Sequence, residues 1–183
     1  MIEKTLIEEC KNNNRKAQAK LFKVLYGKLL AIAFRYVKSK AEAEEITQES
    51  FIKIFKNINS FKFNGSFEGW CKHIVFNHSI DYLKSKKTSF ISVFDETMPI
   101  EISFDNQIDV DNIQKASPEQ INKLILKLPE IQRIVFNMHV MDELKHKEIA
   151  QELKITEANS KSIYHRAKEK IKQSLNKLEK CKI

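Results

Sequence analysis

The stretch Glu148-Ile149-Ala150-Gln151-Glu152-Leu153-Lys154-Ile155-Thr156 decides the fold. It reads as the body of a short helix, a tight turn at Lys154-Ile155, and Thr156 as the cap of a new helix. The helix that follows keeps Tyr164, Ala167, Ile171, Leu175 and Leu178 on one side, the three-and-four spacing of an amphipathic face. A short helix, a turn of three or four residues and a longer helix make the helix-turn-helix plan. Any helical hairpin leaves a similar trace. Upstream, Ser117-Pro118-Glu119-Gln120 is a strong helix start, with serine as N-cap, proline at the first helical position and Gln120 closing a capping box. Ile121, Leu124, Ile125 and Leu128 form the face of that helix, and Pro129 starts another that carries Ile131, Ile134, Val135 and Met138.

The first half of the chain is also helical. Residues 2–12 allow a short helix, closed by Asn12-Asn13-Asn14. Ala17, Leu21, Val24, Leu25, Leu29, Ile32 and Tyr36 then mark one face of a long amphipathic helix. Ser39 caps the next, which opens on Glu42, Glu44 and Glu45 and carries Ile46, Phe51, Ile54, Phe55 and Ile58. The paired Glu44-Glu45 could serve catalysis, but two acids at a helix start more often complement the helix dipole. Residues 59–65 break the period as a loop, and Ser66 caps a helix with the stripe Phe67, Trp70, Ile74 and Ile80 or Asp81, running to about Lys87.

Between these halves, from Thr88 to Ala116, periodicity is lost. A structureless run of that length inside one compact domain is improbable, so it argues for two domains. Charge follows the same division. Residues 1–87 carry 17 basic and 9 acidic groups, residues 88–117 carry 1 and 6, and residues 118–183 carry 14 and 9. Two basic blocks flanking an acidic connector suit a polyanion such as nucleic acid or an anionic membrane surface, although a solvated lysine-rich surface would read the same. The expected architecture is all-α: a domain over 1–87, a flexible acidic linker over 88–117, and a helix-turn-helix (winged-helix-like) domain over 118–183.

Composition excludes several classes. With Gly 3 and Pro 3 in 183 residues, a sandwich, barrel or Rossmann fold is disfavoured. Apolar runs fall far short of the ~20 residues of a membrane span. Gly27, Gly65 and Gly69 form no phosphate-cradling loop. No Ser/His/Asp arrangement stands out, and Cys71 with His73 offers two neighbouring ligands where a metal site needs more. Neither an enzyme, a cofactor, a metal nor a small-molecule substrate is expected. Cys10, Cys71 and Cys181, odd in number and widely spaced, read as reduced thiols. With a charged N-terminus that no signal-peptide core follows, they point to the cytoplasm.

Two places carry recognition chemistry. Phe61, Phe63, Phe67 and Trp70 cluster beside Lys62, Lys72, Lys84, Lys86 and Lys87. Aromatic faces interleaved with lysines are what unstacked bases and their phosphates need. Phe67 and Trp70 share the helix stripe and belong to the core, whereas Phe63 and Asn64 lie in the break and are expected to be exposed. Lys72, His73, Asn77 and Lys84 lie on other faces of the following helix. Asn77, poorly favoured in a helix interior, serves either a contact or an internal hydrogen bond. In the second block, a recognition helix reads bases with the residues after its cap, here Glu157, Ala158, Asn159 and Lys161, then Ser162, His165 and Arg166. Asparagine can pair bidentately with adenine, and Lys or Arg can reach guanine or phosphate.

Taken together, the two halves resemble the sigma-70 family of RNA polymerase sigma factors, in its small extracytoplasmic-function group. The first half resembles the region-2 domain at Ala43-Glu44-Glu45-Ile46-Thr47-Gln48-Glu49-Ser50-Phe51, Phe55, Phe67-Glu68-Gly69-Trp70, Ile74, Asn77, Asp81 and Lys84. The second resembles region 4 at Leu128-Pro129, Arg133, Val135-Phe136, Glu148-Ile149-Ala150, Leu153, Ile155, Lys161-Ser162 and His165-Arg166-Ala167. The resemblance covers about residues 15–180, and the order and separation of the motifs make it specific.

The resemblance implies a subunit that binds core RNA polymerase, at the clamp of the largest subunit and the flap, and directs promoter recognition, melting and initiation. Glu45, Gln48, Glu49 and Ile52 would dock on the clamp. Phe63, Asn64, Lys72, His73, Asn77 and Lys84 would open and read the minus-ten strand. Arg133, Asn159, Lys161, Ser162, His165 and Arg166 would meet the minus-thirty-five duplex. A membrane-bound anti-sigma factor is a further implied partner. The chain departs from the family pattern at Lys154, where glycine is frequent, at Ser160, where a buried valine is common, and at Ile163, where a basic residue is common. Lys145 also replaces the usual hydroxyl cap. The rival readings are a helix-turn-helix regulator that does not bind polymerase, which would leave the aromatic loop and the helix over 42–55 unused, and a helical adaptor with no nucleic-acid role.

Overall fold

The computed structural model describes residues 2–86 and 117–180. The chain divides into two compact units, Met1–Thr88 and Ser89–Ile183. The expected linker over 88–117, save Ser117, lies outside the described residues, as do Lys87, the Leu178 side chain and Cys181. Regular structure among the described residues is entirely helical.

The first unit contains α1 (Lys4–Lys11), α2 (Arg15–Val37), α3 (Lys40–Asn57), a 3-10 turn (Ile58–Ser60) and α4 (Phe67–Lys86). Each long helix starts where the sequence supplies a cap. Asn14 accepts from the Lys16 and Ala17 amides at 3.0 and 3.2 Å. Ser39 accepts from Glu42 at 3.4 Å, and Ser66 from Gly69 at 3.2 Å. These satisfy amides that have no partner within the first turn of the helix. Helices α2, α3 and α4 pack on one another and α1 lies against α2. Leu21, Leu25, Leu29, Ala33 and Tyr36 of α2, Ile46 and Ile54 of α3, and Val75 and Ile80 of α4 are fully or almost fully buried.

Two expected stripes are corrected here. Val24 stands half exposed, and Ala33 is buried on the same helix. On α4 the buried face is Phe67, Cys71, Val75, Phe76, His78, Ser79, Ile80 and Leu83, with Trp70 and Ile74 only half-buried and Asp81 exposed. Because α4 packs against both α2 and α3, its buried arc is wide. It therefore takes in small and polar residues that apolar periodicity passes over.

The second unit contains α5 (Pro118–Lys127), α6 (Glu130–Phe136) continued by a π turn (Asn137–Met141), α7 (His146–Leu153) and α8 (Glu157–Lys180). The capping box at Ser117 is complete: the serine hydroxyl accepts from Gln120 at 3.2 Å, and the Gln120 side chain accepts from Ser117 at 3.0 Å. Leu124, Ile125, Leu128, Phe136, Ala167, Ile171 and Leu175 form one core cluster, with Ile121 and Tyr164 packed on it. Ile134, Val135, Met138, Ile149 and Ile163 are also buried. Between α7 and α8, Lys154 sits at φ 55°. Its amide and that of Ile155 reach back to Gln151 and Ala150 at 3.4 and 3.0 Å, a Schellman closure of the helix end. Thr156 caps α8 by accepting from Asn159 at 3.1 Å.

Candidate interfaces for protein and nucleic acid

The apolar residues of α3 are drawn inward at Ile46, Phe51 and Ile54. Their periodicity leaves Glu45, Gln48, Glu49 and Ile52 on the outer face, all exposed. Ile52 is 67% exposed, the most exposed large hydrophobic residue among those described. An isoleucine left in water contributes little burial energy to the fold. Glu49 is tied down: its carboxylate accepts from His78 Nε2 at 2.9 Å. Because a carboxylate only accepts, Nε2 carries the proton, so in the neutral ring Nδ1 accepts from the buried Ser50 hydroxyl at 3.1 Å. Burial pushes the His78 pKa down, with Lys53 adding to the fall and Glu49 opposing it. The imidazole thus links the outer face of α3 to α4.

The loop after the 3-10 turn is built on Phe61. Its ring meets Phe63, Phe67 and Trp70 at centroid distances of 5.1, 5.1 and 5.6 Å. Phe63 differs from the expectation of free exposure. It is half-buried at φ 58°, and its ring lies under the ammonium groups of Lys4 and Lys11, at 5.0 and 4.4 Å. Hydrophobic contact with Phe61 and two cations draws it in, and Lys62 and Asn64 remain exposed. On α4, Lys72, His73 and Asn77 are exposed and Lys84 is half-exposed. Asn77 therefore sits where a contact role, rather than a buried hydrogen bond, is open to it. Lys72 pairs with Glu68 at 2.9 Å, and Lys28 reaches the same carboxylate at 2.7 Å. The hydrogen bonds from Lys28 and then Lys72 hold Glu68 below the usual carboxylate range. His73 stacks on Phe76 at 6.0 Å.

In the second unit, Glu157 and Ala158 are exposed, and Asn159, Lys161, His165 and Arg166 are half-exposed along α8. Lys161 pairs with Glu157 at 2.7 Å one turn back. Two residues expected at the duplex face elsewhere. Arg133 is only 2% exposed, and burial lowers its pKa. Its position on α6 points into the unit, so it supports the fold and does not present itself to a phosphate. Ser162 is buried too, and accepts from Arg166 Nη2 at 3.4 Å. It steadies the arginine one turn on and stands away from solvent.

A ring cluster at the start of α7 has no counterpart among the sequence expectations. His139 and His146 stack at 4.3 Å, and Tyr164 meets them at 4.6 and 5.5 Å. His139 Nδ1 donates to the Leu144 carbonyl at 2.9 Å, and His146 Nδ1 lies 2.9 Å from the hydroxyl of fully buried Ser160. Burial first, then His139 and Lys161, push the His146 pKa down to about 4. The pair joins residues 14 apart, on two helices. The only signal in the sequence was serine at a position where the resemblance implies valine. Ile163, where the resemblance implies a basic residue, is 1% exposed and belongs to the core.

Comparison with known proteins bears on these surfaces. Residues 21–88 match the family described as Sigma-70 region 2, and residues 119–171 match Sigma-70, region 4. The chain is 29% identical to the ECF RNA polymerase sigma factor SigW of Bacillus subtilis, over 97% of this chain and 99% of that protein. It is 27% identical to SigM of the same organism, over 76% and 83% of the two chains. Among solved structures it is similar to CnrH in complex with the cytosolic domain of CnrY, with a TM-score of 0.50, 14% identity, and coverage of 94% and 96%.

Proposed function

The chain belongs to the sigma-70 family, in its extracytoplasmic-function group, and from that premise we propose that its exposed surfaces divide the work of initiation as follows. A sigma factor is a non-catalytic subunit that binds core RNA polymerase and directs it to promoter DNA. The outer face of α3, with Glu45, Gln48, Glu49 and Ile52, docks on the polymerase clamp. The 61–66 loop with Asn64, and α4 with Lys72, His73, Asn77 and Lys84, meet the minus-ten strand once it parts. The start of α8, with Asn159, Lys161, His165 and Arg166, meets the minus-thirty-five duplex. The protein acts in the cytoplasm, where polymerase is; no helix among the described residues is long and apolar enough to cross a membrane. A membrane-bound anti-sigma factor is proposed as its antagonist, in line with CnrH having been solved with the cytosolic domain of CnrY.

The observation that supports the α3 docking surface is Ile52, which is 67% exposed amid polar residues. An apolar anchor ringed by polar groups is how a protein interface concentrates its energy. Ile52→Glu should weaken binding to core polymerase at least tenfold, about 1.4 kcal/mol, in a fluorescence titration, with the helical circular dichroism unchanged. Affinity equal to wild type would remove α3 from the docking surface.

A further inference from the structure

Phe63 is bulky, non-glycine and left-handed at φ 58°, a conformation in which such a residue is a true outlier. Nothing in its immediate sequence forces it there, so tertiary contacts must hold it. They come from α1. Lys11 donates to the Phe61 carbonyl at 3.2 Å and pairs with Glu8 at 3.4 Å. The same ammonium stands 4.4 Å from the Phe63 centroid, and Lys4 covers the ring at 5.0 Å. The Lys11 side chain is only 16% exposed, unlike a lysine kept on the surface for solubility. Phe61 meets the ring edge to face at 5.1 Å. The ring thus has two ammonium groups over it and the Phe61 ring against it, and the next residue, Asn64, is left exposed.

We propose that Lys4 and Lys11 of α1 are positioning residues for strand readout: they hold Phe63 as an anchor and thereby fix where Asn64 stands. This rests on the reading that the 61–66 loop meets the parted promoter strand. Phe63 is then a post and not a stacking platform, because the ring is half-buried and two ammonium groups already stand over it. Lys11 is equally unsuited to a phosphate, since a carboxylate, a carbonyl and a ring already surround it.

The test uses holoenzyme formed with core polymerase and a set of fork-junction DNAs bearing each of the four bases at each unpaired minus-ten position. The quantity read is the ratio of tightest to weakest affinity at each position. Lys11→Met, which keeps the aliphatic stem and removes the cation, should shrink that ratio at least fivefold at one position. Lys11→Arg, which keeps a cation and a donor, should restore it. Lys4→Met, at an exposed site, should shrink it to a lesser degree. Affinity for core polymerase should be unchanged in all three. A ratio untouched by Lys11→Met would overturn the inference. So would a uniform loss on every DNA with a shallower salt dependence, which would make the lysines phosphate contacts. Holoenzyme with wild-type protein that shows no base preference on any fork would instead remove the underlying reading of the loop.

Discussion

Lys154 and Phe63 adopt nearly the same φ, 55° and 58°, in turns that each lead toward a long helix, yet they are held by different means. At Lys154 the support is local: two amides fold back onto the last turn of α7, and the side chain stands in water. At Phe63 the support comes from α1, whose Lys11 is more than fifty residues earlier in the chain. A left-handed residue closed by its own helix can be read from neighbouring letters. One held by a distant element cannot, and it is the second kind that can couple a recognition loop to another part of the fold.

The same contrast runs through the second unit, where it gives the largest expected effect. Arg133 was matched to a duplex contact by sequence, and is buried by structure. Arg133→Ala should lower the urea stability of that unit by about 3 kcal/mol, the cost of truncating a large buried side chain to a methyl group. It should leave the salt slope of duplex binding as it is. A flattened slope with unchanged stability would return Arg133 to the DNA face.

A smaller effect is expected from the ring cluster. His146 has its pKa lowered from 6.5 to about 4, so between those values the unfolded chain binds more protons than the folded one. Stability from this group is complete above pH 6.5 and is lost as pH falls toward 4. With allowance for solvent screening of a half-exposed ring, the loss should be ~1–2 kcal/mol. His146→Gln should flatten that part of the profile in urea titrations followed by circular dichroism. His78 shifts in the same direction in the first unit, and Trp70, the single tryptophan, reports that unit separately by fluorescence. A profile that His146→Gln leaves unchanged would assign the pH dependence to other groups.

The smallest effects test the opening contrast itself. Glycine relieves left-handed strain of ~1–2 kcal/mol, at a cost in unfolded-state entropy. Lys154→Gly should therefore stabilise the second unit by about 0.5–1 kcal/mol. Phe63→Gly removes the same strain but also the ring and its contacts, so it should destabilise the first unit by about 1 kcal/mol net. Equal signs at the two positions in denaturant titrations would erase the distinction between local and distant support.

What could be read from sequence follows the same line. Ser117 with Gln120, Ser66 and Thr156 act on amides three residues away, and their helices begin where the letters place them. The set on α3 came from the family resemblance and not from periodicity, although the stripe at Ile46, Phe51 and Ile54 does turn inward and leave Glu45, Gln48, Glu49 and Ile52 exposed. Arg133 and Ser162 were misplaced because their burial depends on how the helices of the second unit pack together, which no local pattern records. His146 with Ser160, and Lys11 with Phe63, were missed for the same reason: each joins side chains on different elements.

The most direct test of the account is to compare holoenzyme affinity for two DNAs, a minus-thirty-five duplex and a minus-ten fork with its strand already parted. Asn159→Ala should weaken the duplex alone, by ~1–3 kcal/mol for a lost bidentate base contact, and Asn64→Ala should weaken the fork alone, by about tenfold. If Asn64→Ala instead weakened the duplex, or Asn159→Ala the fork, the assignment of strand reading to the first unit and duplex reading to the second would be contradicted.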